Sequence, residues 1–486
     1  ATVVAAVTAE PVLRMIWRGK QVVSLTREFL NSNGAPKYAD AAIQHIDING
    51  LYDGIKSTEA PAAEVFRSVL SDLNVCSQKG LVERFDSSIG GATAVMPFGG
   101  REQLTAPQYM AAKLPLEHGE TDTASVMAFG FDPYLSEKSP YHGAYCAVVE
   151  SAARLVASGA DYRSARLSFQ EYFRRMGADA EGWGVPLSAL LGAYRAQLGL
   201  RIAAIGGKDS MSGTFEGKDV GRIDVPPTLV SFAVAPHRAS KLTTPEFKRV
   251  NSSVYLLEPK YGGDMLPDAQ SLTELFDYIH KLADEGSAES ICALGFSGIA
   301  EAVAKCCFGN MVGFEFSSVM TADELTRKRP GAFIIAAKKP LDRGIPLGHT
   351  TDRGFIYCNK EEIFLTELAD IWSAPLERVF PTKVADEERL AGIKPPALSC
   401  VTHHSVTPPA KFARPRVVIP VFPGTNCEYD SARVFDEAGG EPATVVLRNL
   451  TSAMLEDSLA ELSAAINGAQ ILMLPGGFSG GDEPDG

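Results

Sequence analysis

Apolar runs and helical segments alternate along the last part of the chain. The strand-like runs cover residues 416–422, 443–447 and 470–474, and the segments of helical character between them cover 429–438 and 452–466. Strands that alternate with helices are typical of a doubly wound parallel sheet. A complete domain of this kind is usually larger than the about seventy residues present, so we expect the domain at residues 414–486 to be truncated.

A first mixed unit is predicted upstream, at residues 61–240. Residues 147–157 have helical periodicity with an apolar face and are followed by Gly159, which favours a helix end there. Residues 226–235 form an apolar run that predicts a buried strand. This mixture of elements is typical of an α/β or α+β domain.

A second unit of the same class is predicted at residues 241–384. Ser271 and Glu274 have the spacing of a capping box, which predicts a helix that runs to residue 284 with Gly286 as its stop. A further helix is predicted to begin at Gly298. The fold class predicted for the whole chain is therefore α/β and α+β.

The remaining segments are predicted to connect these domains. Residues 1–60 read as an adaptor segment, in which 12–17 and 21–24 are two strands around a glycine turn. Residues 385–413 are rich in proline and show little periodicity, which favours an interdomain linker.

Composition narrows the class of protein. The chain has 486 residues, of which 45% are hydrophobic and 22% charged, and this excludes extensive disorder. Its 46 Lys and Arg against 59 Asp and Glu give a net charge of −13, which argues against a dedicated nucleic-acid binder. Eight cysteines are too few for a disulfide scaffold, and no apolar stretch is long enough to span a bilayer. We therefore expect a cytoplasmic protein without membrane or nucleic-acid partners, and we expect both chain ends to be cuts in a longer polypeptide.

A glycine-rich stretch at residues 206–213 follows the apolar run 200–205, which is predicted to be a strand. Glycines allow backbone N–H groups to approach an anion closely, and Lys208 adds a positive charge. Asp209 follows Lys208 where a P-loop has Ser or Thr, so the stretch is not a P-loop. The residues alone leave a phosphate-binding loop and an ordinary polar turn both open.

Acidic residues on separate elements suggest a magnesium site. Residues 117–122 contain two Glu and one Asp, and Glu150 lies on the predicted helix 147–157. Magnesium prefers hard oxygen ligands and keeps several waters. Isolated carboxylates are more often solvated, so the residues alone favour the plain surface interpretation.

Two further motifs follow predicted parallel strands, at residues 422–428 and 474–482. Open α/β sheets place their sites at the carboxyl ends of such strands. Cys427 lacks the surroundings of a nucleophile elbow, so a structural thiol is the favoured interpretation. His403 and His404 have no further ligand at metal-binding spacing, which favours solvated linker histidines.

Taken together and in order, these motifs resemble phosphoribosylformylglycinamidine synthase, a purine-biosynthesis enzyme that joins an ATP-dependent synthetase to a glutaminase. The matching stretches in the first two domains are LSDLNVCSQK (70–79), RFDSSIG (84–90), PYHGA (140–144), AVVESAAR (147–154) and GGKDS (206–210). They resemble the second of the family's two aminoimidazole-ribonucleotide-synthetase-like halves. PGTNC (423–427) and LPGGFSG (474–480) resemble the start of its class I glutamine amidotransferase domain. The resemblance implies synthetase-like amino-terminal and carboxyl-terminal domains, followed by a truncated flavodoxin-like amidotransferase domain.

The resemblance also implies a reaction and its ligands. In the family, ATP activates the amide oxygen of formylglycinamide ribonucleotide, and ammonia from glutamine displaces the phosphate. The implied ligands are Mg²⁺ and ATP or ADP. By motif match, Gly207 and Lys208 would bind nucleotide, Ser210 the substrate phosphate, and Asp122 and Glu150 magnesium.

For the amidotransferase part, the resemblance implies an oxyanion loop at Gly476, Gly477 and Phe478. The family's nucleophilic cysteine is expected beyond the carboxyl terminus, so no catalytic residue is assigned and the fragment is predicted to be inactive alone. The family's two halves pair about a pseudo-twofold axis, and we therefore predict a homodimer through residues 60–240.

Two departures from the family pattern keep a second hypothesis open. Arg154 stands where many relatives have an asparagine metal ligand, and residues 294–299 lack the aspartate of the usual signature. An arginine beside Glu150 could replace the charge of a cation, which favours a non-catalytic structural or interaction half. A stand-alone enzyme of the wider synthetase superfamily is disfavoured by the attached motif at 423–427.

Overall fold

The computed structural model describes residues 3–32, 38–56, 60–85, 92–116, 119–383 and 412–477. The chain divides into two compact units, one of residues 1–112 with 123–382 and one of residues 113–122 with 383–486. The predicted linker, including His403 and His404, lies almost wholly outside the described residues, as does Phe478.

An antiparallel hairpin opens the first unit, as the sequence predicts. Strands β1 (Val12–Trp17) and β2 (Lys20–Thr26) pair with each other, and helix α1 (Arg27–Asn31) follows. Arg18 and Gly19 connect the strands with φ angles of 50° and 77°, the conformation that a tight hairpin turn requires.

A mixed six-stranded sheet forms the centre of residues 93–238. The elements of this region are α2 (Ala62–Ser71), α3 (Lys79–Val82), β3 (Thr93–Val95), β4 (Met110–Lys113), β5 (Thr123–Gly130), α4 (Pro133–Lys138), α5 (Pro140–Ala157), β6 (Arg166–Tyr172), α6 (Ala180–Leu200), β7 (Ala204–Ser210), β8 (Thr214–Gly217), β9 (Gly221–Asp224) and β10 (Thr228–Arg238). The strand order is β3-β4-β5-β10-β6-β7, so β7 lies at an edge. One sheet face packs on the buried helix α5, and the other presents apolar side chains that include Phe129, Phe232 and Val234.

A seven-stranded sheet organises residues 253–364. Its elements are β11 (Ser253–Leu257), α7 (Ala269–Asp284), β12 (Ala288–Ala293), α8 (Gly298–Phe308), β13 (Gly313–Phe316), α9 (Ala322–Thr326), β14 (Phe333–Ala337), β15 (Ile345–Thr351), β16 (Phe355–Cys358), β17 (Glu361–Phe364) and α10 (Leu365–Glu377). The strand order is β12-β14-β11-β15-β13-β16-β17. Strand β14 lies inside the sheet and is buried at every position, which explains its continuous apolar sequence. The edge strand β12 is also buried throughout, although it carries Glu289 and Ser290.

Helix α7 shows where local sequence signals mislead. The predicted capping box is wrong, because the carboxylate of Asp268 accepts the hydrogen bond from the Ser271 N–H at 2.8 Å and the helix begins at Ala269. Ser271 lies in the first turn, where its hydroxyl accepts from the N–H of Lys260 at 2.9 Å. The predicted end is confirmed, since Gly286 follows the helix with a φ of 65°.

Main-chain contacts join the regions of the two sheets within the first unit. A Cβ atom on Gly100 would lie 2.2 Å from the carbonyl carbon and oxygen of Gly309, which follows α8. The Glu102 N–H donates to the Gly309 carbonyl at 2.7 Å, and the Gly309 N–H donates to Thr105 Oγ1 at 2.8 Å. Glycine is therefore required at position 100 for the backbones to approach this closely.

The second unit contains a parallel three-stranded sheet. Strands β18 (Arg416–Val421), β19 (Glu441–Val446) and β20 (Ile471–Leu472) alternate with helices α11 (Glu428–Glu437) and α12 (Ser452–Gly468). Strand β18 lies in the middle and is parallel to both neighbours. The predicted fold class, mixed sheets followed by a parallel α/β segment, is confirmed. Within the part of the chain that the structure describes, no helix is long and apolar enough to cross a membrane.

Candidate functional site

The glycine-rich stretch 206–210 is a strand rather than the predicted loop. Helix α6 extends to Leu200 and is closed by Arg201 in the left-handed conformation, so the predicted strand 200–205 is wrong and β7 begins only at Ala204. Strand β7 runs parallel to β6 along the sheet edge. The residues therefore present an exposed, extended backbone.

Gly207 and Lys208 take different places on this strand. A Cβ on Gly207 would lie 2.4 Å from the carbonyl oxygen of Phe169, whereas Gly206 has open space around its α-carbon. The carbonyl of Lys208 accepts a hydrogen bond from Gln170 Nε2 at 3.2 Å, and the side chain of Lys208 is exposed. Close packing against the Phe169 backbone thus explains the glycine at position 207. The side chain of Lys208 is accessible to a ligand.

The end of β7 carries hydroxyl and carboxylate groups. Ser210 Oγ lies 3.3 Å from Ser212 Oγ, within hydrogen-bonding distance. Glu171 on β6 is buried opposite Asp209, and burial raises the pKa of Glu171 to about 7, with the charge of Asp209 acting in the same direction. Sequence reasoning missed Glu171, because an acidic residue within a strand gives no motif.

Glu150 lies on α5, and both of its carboxylate oxygens have donors. Oε1 is 2.5 Å from Nη2 of Arg154, one turn further along the helix, and Oε2 accepts from the Phe131 N–H at 3.1 Å. Arg154 also donates from Nη1 to the Phe129 carbonyl at 2.7 Å, and its guanidinium lies 4.8 Å from the centre of the Phe129 ring. Burial raises the pKa of the Glu150 carboxyl, and the guanidinium opposes this rise.

A second ion pair, which sequence reasoning missed, lies beside the first. Lys328 Nζ contacts the carboxylate of Asp132, donates to the Phe296 carbonyl at 3.2 Å and lies 4.0 Å from the centre of the Phe296 ring. Asp132 and Glu150 line one small cavity of about 40 Å³ with Lys328. Lys328 and Asp132 are 196 positions apart, so no local spacing could have indicated the pair.

These contacts do not fit a magnesium site. Asp122, the other predicted ligand, lies between β4 and β5, in the unit of residues 113–122 and 383–486. No group of three or more His, Cys, Asp or Glu side chains that could hold a metal occurs among the described residues. At Glu150, the guanidinium and a backbone N–H occupy the oxygens that a cation would need.

A larger cavity lies at the start of α5, where the motif at residues 140–144 falls. It has a volume of about 670 Å³, which suits a small ligand, and its lining includes His142, Arg174 and Lys138. His142 contacts Ser139 Oγ at 2.7 Å and the Asp264 carbonyl at 3.0 Å, and burial lowers the pKa of its imidazole.

The two glycine motifs of the second unit meet as their positions after parallel strands predict. Thr425 forms a β-bridge with Gly477, and a Cβ on Gly477 would lie 2.3 Å from the Gly424 carbonyl oxygen. Gly476 has open space around it. Cys427 is exposed at the N-cap of α11, and its Sγ contacts Asn426 Oδ1 at 3.6 Å.

Comparison with known proteins finds similarity for two parts of the chain. Residues 414–486 match the model of a CobB/CobQ-like glutamine amidotransferase domain. The phosphoribosylformylglycinamidine synthase subunit PurL of Picrophilus torridus is 22% identical over 346 residues, which cover 64% of this chain and 44% of the relative. The same subunit of Thermus thermophilus is 23% identical over 416 residues, covering 77% and 54%. The resemblance to phosphoribosylformylglycinamidine synthase is confirmed.

The similarity covers only part of the length of these relatives. The chain spans about half the length of the curated relatives that it matches. A solved structure of Thermotoga maritima PurL complexed with ATP has a TM-score of 0.45 at 17% identity, covering 70% of this chain and 49% of that one. Thiamine monophosphate kinase from Aquifex aeolicus has a TM-score of 0.35 at 11% identity, covering 52% and 94%.

Proposed function

We propose that this chain forms the second synthetase-like half and part of the amidotransferase domain of a phosphoribosylformylglycinamidine synthase. One observation carries the proposal: similarity to the PurL subunit and a glutamine amidotransferase match at residues 414–486 occur in one polypeptide. A synthetase beside an amidotransferase is the arrangement that a glutamine-dependent amidoligase requires, because ammonia released in water would be protonated before it reacts.

The proposed reaction converts formylglycinamide ribonucleotide, glutamine and ATP to formylglycinamidine ribonucleotide, glutamate, ADP and phosphate. An amide oxygen is a poor leaving group until it is phosphorylated, so ATP must first activate the glycinamide oxygen. Ammonia then adds to the glycinamide carbon and phosphate leaves with that oxygen, while the formyl group stays unchanged. The residues of this chain contribute binding and positioning to this scheme.

Two regions of the first unit are suited to bind the phosphorylated ligands. Strand β7 would offer the backbone of Gly207, the charge of Lys208 and the hydroxyl of Ser210 to a phosphate group. The cavity of about 670 Å³ beside Arg174 and Lys138 would accept the ribonucleotide. The predicted domains at 61–240 and 241–384 would supply these two regions and the surrounding framework.

The proposal is tested on the endogenous polypeptide, tagged in its source organism and purified at its native length. It should form ADP and formylglycinamidine ribonucleotide from formylglycinamide ribonucleotide and ATP, with either glutamine or ammonium chloride as nitrogen donor. Activity with ammonium chloride alone would assign the synthetase step and leave the glutaminase step unsupported. Absence of both products with either donor would overturn the proposal.

A second candidate is a non-catalytic half that stabilises the enzyme without turning over a nucleotide. The contact between Glu150 and Arg154 favours it, because a guanidinium occupies the carboxylate that a metal would need. In the native-length enzyme, Glu150→Gln should then leave the rate of product formation unchanged. A large loss of rate at unchanged melting temperature would instead support a catalytic role for this half.

A further inference from the structure

We propose that Arg154 and Lys328 are built-in counter-cations of the small cavity that Asp132 and Glu150 line. They neutralise these two carboxylates, so the cavity keeps its structure without a divalent cation. The proposal rests on the proposed function only in naming magnesium as the ion that is replaced. The contacts that carry it are independent of the reaction, and so are its experiments.

The position of Arg154 is set by three groups. It lies four residues after Glu150 on α5, the spacing that places two side chains on the same helix face. Its Nη2 is 2.5 Å from Glu150, its Nη1 donates to the Phe129 carbonyl at 2.7 Å, and its guanidinium packs on the Phe129 ring at 4.8 Å. These three contacts hold the guanidinium in a fixed position beside Glu150.

A metal ion at Glu150 would have to displace groups that its carboxylate already binds. Oε1 contacts the Arg154 guanidinium and Oε2 accepts from the Phe131 N–H. Magnesium usually keeps several of its waters when it binds to protein. A second cation would also meet the positive charge of Arg154 at contact distance.

Lys328 makes the same kinds of contact as Arg154, with a carboxylate, a carbonyl and an aromatic ring. It precedes β14 in the chain and pairs with Asp132, which caps α4 by accepting from the Leu135 N–H at 3.0 Å. Its ammonium also lies 4.0 Å from the centre of the Phe296 ring. The acidic side chains that line the small cavity are thus each matched by a cation of the chain itself.

Metal binding is tested first, with Mn²⁺ as a spectroscopic probe. Electron paramagnetic resonance titrations of the native-length protein and its Glu150→Gln variant should give the same number of tightly bound ions. The change in melting temperature between EDTA and millimolar MgCl₂ should be the same for both proteins. Loss of one tight Mn²⁺ site in Glu150→Gln would overturn the proposal.

The counter-cation role is tested by removing the charge. Arg154→Met leaves a buried carboxylate without its cation and should lower the melting temperature by roughly 5 °C or more. Arg154→Lys should restore part of this loss, and Glu150→Gln combined with Arg154→Met should restore more, because no charge then remains unpaired. Arg14→Met is the matched control, since Arg14 and Glu10 form the same contact at 2.5 Å but are half exposed.

The outcomes separate neutralisation from simple packing. Arg154→Met that fails to fold while the double variant folds would support the proposal. Arg154→Met that melts like Arg14→Met, or a double variant no better than the single one, would show that the charge of Arg154 is not needed. Neither result depends on whether the enzyme makes formylglycinamidine ribonucleotide.

Discussion

Gly207 lies directly against the main chain of Phe169, and a Cβ at position 207 would be 2.4 Å from the Phe169 carbonyl oxygen. Such a contact between a side-chain atom and backbone can be relieved only by moving a strand. The glycine that the motif assigns to ligand binding therefore also has a structural role in the pairing of β6 and β7.

Gly207→Ala should lower the melting temperature of the chain by several degrees, because the strands would have to separate to accept the methyl group. Gly206→Ala is the control, since a Cβ there has nothing within 4 Å. Differential scanning calorimetry of both variants checks the difference. Equal melting temperatures would show that β7 is not held as the structure has it.

Lys208→Ala should weaken binding of ADP or of formylglycinamide ribonucleotide by about tenfold or more, since a charge-assisted hydrogen bond contributes about 1.5–3 kcal/mol. The melting temperature of the ligand-free protein should stay unchanged, because the side chain is exposed. Calorimetric titration of the native-length protein measures the effect, with the exposed Lys218→Ala as control. Affinities like those of the wild type in both Lys208→Ala and Ser210→Ala would reduce β7 to a structural strand.

Glu171 should make stability depend on pH in the direction opposite to that of a salt-bridged carboxylate. Its folded pKa of about 7 is above that of an unfolded glutamate, so the folded state binds the proton more tightly. This contribution is present at low pH and is lost as the pH rises from about 4 to about 7. Glu171→Gln should therefore raise the melting temperature at about pH 8 and change it little at about pH 4. Thermal melts across this range check the sign, and an equal effect at both ends would contradict it.

Cys427→Ser should leave ammonia release from glutamine unchanged. The thiol is exposed at the start of α11, and its Sγ contacts Asn426 Oδ1 at 3.6 Å. A coupled glutamate dehydrogenase assay on the native-length protein measures this. Loss of ammonia release in the variant would make Cys427 a nucleophile.

The exposed face of the six-stranded sheet should form a homodimer of the 486-residue chain. Phe129 is 50% exposed and Val234 39% exposed on neighbouring strands, and the Phe129 and Phe232 rings lie 6.5 Å apart. Val234→Glu should abolish the dimer without lowering the melting temperature, whereas Val220→Glu on the exposed β8–β9 hairpin should not. Light scattering measures the mass, and a wild-type monomer at tens of micromolar would contradict the prediction.

Elements set by local patterns were predicted well from the sequence. The alternation of strands and helices after residue 414 gave β18, α11, β19 and α12 to within two residues at each boundary. The start of α7 was wrong because Asp268 competed with Ser271 for the cap, and both are good capping residues. Local signals do not show which of two capping residues, three positions apart, begins the helix.

The candidate site was harder to predict because its contacts are not local. The partner of Glu150 is on the same helix, and the departure at Arg154 could be noticed in the sequence. The contact of Lys328 with Asp132 depends on how β14 and α4 pack. Residues 206–210 were expected to form a loop because glycine and serine are typical of turns, but pairing with β6 overrides that preference.

The glycine contact at position 100 limits how the first unit can move. The backbones of Gly100 and Gly309 are in contact. Beside them, the Glu102 N–H donates to the Gly309 carbonyl and the Gly309 N–H donates to Thr105 Oγ1. A rigid-body rotation of one sheet region against the other would break all of these contacts at once. Motion there would require local unfolding instead of a swing about a hinge, so amide hydrogens of Glu102 and Gly309 should exchange with solvent slowly and in a single cooperative step.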